Sequence, residues 1–137
     1  MKRGEPKVGT IVLDSQGLSK ASRNRSLKLW LDEARTRNAD IVVSAATLAE
    51  VLSGHPRDAA VFRVLSRFVV VPVSRKLGTE AGRLRGAAGF VGGAQAIDAI
   101  VAATARNQEP PVWIMTSDVG DLSKLLADHP EVKVVLV

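Results

Sequence analysis

Apolar residues fall along this chain in two alternating rhythms. Short runs at 8–13, 40–44, 68–73, 112–116 and 132–137 are rich in Val, Ile and Leu and read as strands, the first of them buried. Between them the spacing changes to three and four. Leu27, Trp30, Leu31 and Ala34 mark one face of a helix over 24–37, and Ala60, Val61, Val64 and Leu65 mark another over 57–67. Further helices are expected over 45–52, 74–87, 94–106 and 118–128. Asp14-Ser-Gln-Gly breaks the first strand, and Ser53-Gly54-His55-Pro56 ends the second helix. Pro72 places the third strand at an edge or ends it there. The glycine-rich stretch 86–93 reads as a loop, and Trp30 and Trp113 read as packing residues. Residues 1–7 form a polar, basic tail ahead of one domain at 8–137.

Strands that alternate with helices, and that are apolar throughout, favour a parallel sheet covered on both faces. In such sheets a ligand site lies beyond the carboxyl ends of the strands. Asp14 and Asp118 each follow a strand directly. If those two strands are neighbours, separated by about 5 Å, their carboxylates are brought together.

Composition narrows the chemistry. The 137 residues carry 46% hydrophobic residues, enough for a real core. The net charge is +5 and the pI about 10.1, which favours a polyanionic partner. With no cysteine, disulfides and thiolate-held metals are excluded. No apolar run reaches the roughly 18 residues of a membrane span, so a cytoplasmic location and no membrane partner are expected.

Against that basic background four acids stand in apolar surroundings: Asp14 ending TIVLD, Glu50 in TLAEVL, Asp98 in AIDAIVAA and Asp118 ending VWIMTSD. Each has a structural explanation. Asp14 suits a helix cap, and Asp118 with Asp121 resembles a capping box. Asp98, near a helix start, is favoured by the helix dipole by roughly 0.3–1 kcal/mol. Glu50 nevertheless has only small neighbours three and four positions away, Asp98 has Ala94, Gln95, Val101 and Ala102, and neither has a cation to pair. A divalent ion such as Mg²⁺ or Mn²⁺, which prefers carboxylate and water oxygens, satisfies all four acids together. An acidic metal site in a basic chain points to a nuclease.

Other chemistry finds no support. Gly89–Gly93 lacks a phosphate-loop pattern, His55 and His129 form no zinc-spaced pair, and no serine sits in G-x-S-x-G. A phosphoacceptor fold needs an aspartate ending the third strand, and a haloacid-dehalogenase-type phosphatase needs D-x-D after the first; neither is present. A catalytically weak binding module is the alternative to an enzyme.

The pieces IVLDS, AATLAEVLSG, AIDAIVAATA and IMTSDVGDL come in an order and spacing that resembles the PIN domain family, especially its VapC-like ribonuclease toxins. The resemblance spans about residues 8–137. It implies a three-layer α/β/α sandwich around a parallel sheet. By position it implies an acidic quartet of Asp14, Glu50, Asp98 and Asp118, with Asp121 and a Thr116 or Ser117 hydroxyl nearby. It further implies Mg²⁺- or Mn²⁺-dependent hydrolysis of RNA leaving 5′-phosphate and 3′-hydroxyl ends, a homodimer, and an antitoxin partner. One departure is that Ala94 and Gln95 stand where many relatives carry another acid. That change is expected to reduce metal affinity or alter substrate choice.

Overall fold

The computed structural model describes residues 9–93 and 95–137; the tail at 1–7, Val8 and Ala94 lie outside the described residues. Its strands are β1 (Gly9–Leu13), β2 (Ala39–Ser44), β3 (Val69–Val71), β4 (Val112–Thr116) and β5 (Val132–Leu136). They form one sheet in the order β3-β2-β1-β4-β5, every pairing parallel. β1 is the central strand and is buried along its whole length, as its apolar sequence demands. β3 is short, exposed and at an edge, and ends at Val71, just before Pro72.

Side chains alternate across β1. Ile11 and Leu13 join Ile41, Val43 and Met115 in a core with Leu18, Leu27, Leu31, Val61 and Val64. Those last residues belong to α1 (Ser15–Arg23), α2 (Arg25–Thr36) and α4 (Asp58–Leu65), while α3 (Ala45–Val51) packs alongside through Leu48 and Val51. Val12 points the other way with Val42, Val112 and Ile114. It meets α5 (Arg75–Ala87), α6 (Ala96–Arg106) and α7 (Gly120–Leu125) through Leu77, Leu84, Ala102 and Leu122. The result is the three-layer α/β/α sandwich that the alternation of strands and helices implies.

Three sequence expectations need correction. Residues 14–17 do not merely break the first strand. Asp14 caps α1, its carboxylate accepting the Gly17 N–H at 2.8 Å. This helix shows little periodicity because it buries only Gly17, Leu18, Ala21 and Ser22. Trp30 is 53% exposed; of the expected face of α2 only Leu27 and Leu31 are buried. The last helix starts at Gly120 rather than Asp118, and Val119 is its cap residue.

Gly17 sets how closely α1 approaches the sheet. A Cβ there would lie 2.5 Å from the Met115 carbonyl oxygen and 3.4 Å from Leu13 Cβ. The backbone cannot yield cheaply to such a contact. Gly17→Ala is therefore expected to lower stability by about 1–3 kcal/mol in urea denaturation. Gly78, inside α5 with nothing within 4 Å of its would-be Cβ, gives the opposite result. Gly78→Ala should gain about 0.5–1 kcal/mol. A Gly17→Ala protein as stable as the parent would mean that α1 does not touch β4.

Candidate active site

The sheet order reverses at β1. The chain runs outward through β2 and β3, then crosses back to place β4 on the other side of β1. Parallel strands that leave in opposite directions open a crevice at their carboxyl ends. Leu13 lies opposite Met115 in the β1–β4 register. Asp14 is the next residue on one strand, and Asp118 follows closely on the other. Their convergence is a consequence of strand order.

Asp14 is only 5% exposed. Its cap bond to Gly17 fixes the carboxylate against the first turn of α1. Across the crevice, Thr116 is fully buried. Its hydroxyl accepts the Asp118 N–H at 3.0 Å and has two acceptors for its own proton, the Gln16 side-chain oxygen and the Asp118 carbonyl, each at 3.1 Å. The same Gln16 oxygen accepts the Ser117 N–H at 3.2 Å. Asp118 is exposed and accepts the Gly120 N–H at 3.2 Å, a local turn in place of the expected helix cap.

The other two acids come from helices on opposite faces. Glu50 lies in the last turn of α3, and Asp98 in the first turn of α6. α3 and α6 touch, and Glu50 and Asp98 line one hollow of about 230 Å³ with Gly93, Gln95, Ala96 and Ile97. Glu50 is exposed, so its apolar sequence neighbours do not bury it. Its position at a helix carboxyl end is one where the dipole disfavours an anion. Behind it, the Asp58 carboxylate accepts from Ser53 N, Ser53 Oγ and Gly54 N at 2.7–3.1 Å. That carboxylate ties down the turn that follows α3.

Asp121 joins the ring from the first turn of α7. Gln95 reaches it, donating from its amide to Asp121 Oδ2 at 3.3 Å. Gln95 holds a left-handed backbone (φ 58°), which costs a non-glycine residue about 1–2 kcal/mol. An acid at this position would add a further negative charge beside Asp121; the amide instead supplies a neutral donor.

These charges act on one another. Burial pushes the Asp98 carboxyl up to about 6, reinforced by repulsion from Asp14, Glu50, Asp121 and Asp118. Burial also raises the Asp14 carboxyl, against the lowering effect of the Thr116 hydroxyl and the Gly17 and Gln16 N–H groups. Among the described residues none of the five acids forms an ion pair. The helix starts of α1, α6 and α7 supply partial positive charge, but only by roughly 0.3–1 kcal/mol each.

Among the described residues, no three acids or histidines are gathered closely enough to hold one ion as they stand. The five carboxylates ring the edge of the crevice. Their donor chemistry, hard oxygens only, suits Mg²⁺ or Mn²⁺, and their mutual repulsion is what such an ion relieves.

Gln16 and Asp58 escape sequence reasoning as site residues, and Gln95, noted in the sequence only as standing where relatives carry an acid, is found as the partner of Asp121. Gln16 is a solvent-facing polar residue at a helix start, with nothing in its spacing to announce that it bridges to a strand a hundred positions away. The Asp58 contact closes over only four and five residues, yet a turn sequence alone does not reveal it.

The sequence pattern of the PIN domain matches residues 11–119. Comparison with curated proteins finds no match. Among solved structures, one of VapBC2 from Rickettsia felis bound to a DNA fragment of its promoter contains a similar chain. The TM-score is 0.69 at 20% identity, over 93% of this chain and 98% of that one. A chain in a toxin–antitoxin complex from Klebsiella pneumoniae gives a TM-score of 0.62 at 23% identity, over 89% and 94%. Both are similar in fold. A pattern match covering most of the chain, on a parallel sheet whose crevice carries the acids, shows that this chain belongs to the PIN domain family.

Proposed function

We propose that this chain is a divalent-metal-dependent endoribonuclease, the VapC-like toxin of a type II toxin–antitoxin pair. The observation that carries this reading is the set of mutually repelling carboxylates at the sheet's switch point in a chain of net charge +5. Membership of the PIN family and the folds shared with chains of toxin–antitoxin complexes support it.

Asp14, Asp98 and Asp118 would hold Mg²⁺ or Mn²⁺, with Glu50 as a further ligand or as the base that orients water. The bound ion supplies an activated water and positive charge beside the scissile phosphate. Asp14 is pre-positioned by its cap bond, so its carboxylate needs no reordering. Thr116, Ser117 and Gln16 hold the β4 end against α1 and keep Asp118 at the rim. Asp121, steadied by Gln95, adds charge behind the ligands. RNA is the substrate, and a homodimer and an antitoxin complete the assembly.

The metal-free chain has a signature in its stability. Asp98 is raised from 3.8 to about 6 in the folded state, and Asp14 is raised in the same sense. A raised folded value means that the folded chain binds the proton more tightly than the unfolded one. That stability is present below about pH 4 and is lost as pH rises through about 6. Asp58 acts in the opposite sense, because hydrogen bonds from Ser53 and Gly54 outweigh burial and lower it; Glu131 is lowered too. Both lose their contribution only at still lower pH. Between about pH 4.5 and 7, then, the chelated protein should melt at higher temperature as the solution becomes more acidic. Mg²⁺ should raise the melting temperature near neutrality and flatten the profile. Asp98→Asn should remove most of the pH dependence; an unchanged profile would mean that burial and neighbouring acids do not raise the Asp98 carboxyl.

Cleavage of a mixed RNA pool should vanish with chelator and return with Mg²⁺ or Mn²⁺. Asp14→Asn and Asp98→Asn should each lower the rate by about 100-fold or more. Asn caps a helix as well as Asp does, so loss of activity in Asp14→Asn reports the site rather than α1. Cleavage that persists without any divalent ion would contradict the mechanism. RNA binding without metal-stimulated turnover would favour a binding module.

A further inference from the structure

A second hollow, of about 360 Å³, opens beside the acidic crevice along α1. Ser19, Lys20 and Arg23 line it from α1, with Gln16 at its inner end and Ser117 and Glu50 at its border. Glu50 also lines the hollow that holds Asp98, so the two meet at that residue. Lys20 and Arg23 are three positions apart and therefore share one helix face.

Their charges are not absorbed by neighbours. Arg35 and Arg67 pair with Asp32, Arg37 pairs with Glu33, and Arg106 pairs with Glu80 and Glu131. Among the described residues, neither Lys20 nor Arg23 forms an ion pair. The walls are mostly hydroxyl, amide and cationic groups, with Val51 as the apolar exception. A docked protein segment draws its affinity from buried apolar anchors, and this groove offers little to receive one. Cations and hydroxyls instead match the oxygens of a phosphate backbone.

We infer that the Lys20–Arg23 groove binds the RNA backbone phosphate next to the scissile one, so that the strand enters over α1 and bends at Glu50 into the acidic crevice. This rests on the endoribonuclease reading above. The groove solves an electrostatic problem for that reading. Five acids repel a polyanion, and two cations at the crevice mouth hold the strand while its reacting phosphate approaches. A rival basic hollow, lined by Lys76, Arg83 and Arg106, is anchored on α6 eight positions from Asp98, roughly 12 Å along the helix. It contains Glu80 and His129 and does not adjoin the crevice residues.

The test measures binding of a fluorescent single-stranded oligouridylate with Mg²⁺ across a salt series. It uses Asp98→Asn protein to stop turnover. Adding Lys20→Gln and Arg23→Gln should weaken binding and reduce the slope of log affinity against log salt by about 0.7, the value for one lost phosphate contact. Lys76→Gln with Arg83→Gln should leave the slope unchanged. Circular dichroism confirms folding, since Lys20 and Arg23 lie outside the core. An unchanged slope in the Lys20/Arg23 variant, or an equal fall in the Lys76/Arg83 variant, overturns the groove assignment. So does unaltered RNA binding accompanied by loss of a co-purifying protein, or a parent protein that binds no RNA. A parallel cleavage assay on otherwise native protein separates the two claims. If RNA is cut but the slope holds, the groove falls and the nuclease stands. If no RNA is cut under any metal while the slope falls, the groove stands as an anion site and the nuclease reading fails.

Discussion

The structure turns on repulsion between carboxylates held at one edge of a parallel sheet. A fold that places Asp14 and Asp118 on adjacent strands, and closes Glu50 and Asp98 over them from opposite faces, accumulates negative charge that nothing among the described residues neutralises. Burial raises the Asp98 carboxyl, and repulsion from the other acids adds to that rise. Local contacts of the fold hold three of these acids in place: Asp14 caps a helix, Asp118 closes a turn, and Asp98 rides on a helix that buries Ala99 and residues 101–105. The fold supplies the convergence, and the core supplies the energy that keeps it.

Strand order does most of the positioning. In a β3-β2-β1-β4-β5 sheet the crevice must fall between β1 and β4. Close approach of α1 to that point depends on Gly17, which alone lets the helix start lie against the Met115 carbonyl. Gln16 then ties the helix to the end of β4. Gln16 and Gly17 thus tie the acidic edge of the sheet to the first turn of α1, and the same helix carries Lys20 and Arg23, the cations of the proposed phosphate groove.

Much of this was legible in the chain. Val- and Ile-rich runs announce a parallel sheet, and β4 falls where VWIMT predicts it, although the edge strands β3 and β5 are largely exposed. The acids declare themselves because each sits beside apolar residues without a local cation. The rest was hidden for identifiable reasons. α1 buries too few apolar residues to show a period, and glycine at its third position disguises it as a break. Trp30 looks like core by spacing, but helix spacing fixes only an angular position, and the packed face of α2 is narrower than its apolar stripe. Glu50 looks buried among Ala and Val, yet α3 ends just beyond it and leaves it at the rim. Gln16 and Asp58 act through tertiary or turn contacts that carry no sequence signature, and the sequence marks Gln95 as a departure without revealing its bond to Asp121.

Carbon-detected NMR titration of the Asp98 carboxyl tests the central claim most directly, because it reports the charge of one atom group without relying on turnover. In the metal-free protein the carboxyl should titrate near 6, and addition of Mg²⁺ should bring it down into or below the ordinary aspartate range of about 3.5–4. An Asp98 carboxyl that titrates in the ordinary range without metal, and does not move when Mg²⁺ is added, would contradict the account.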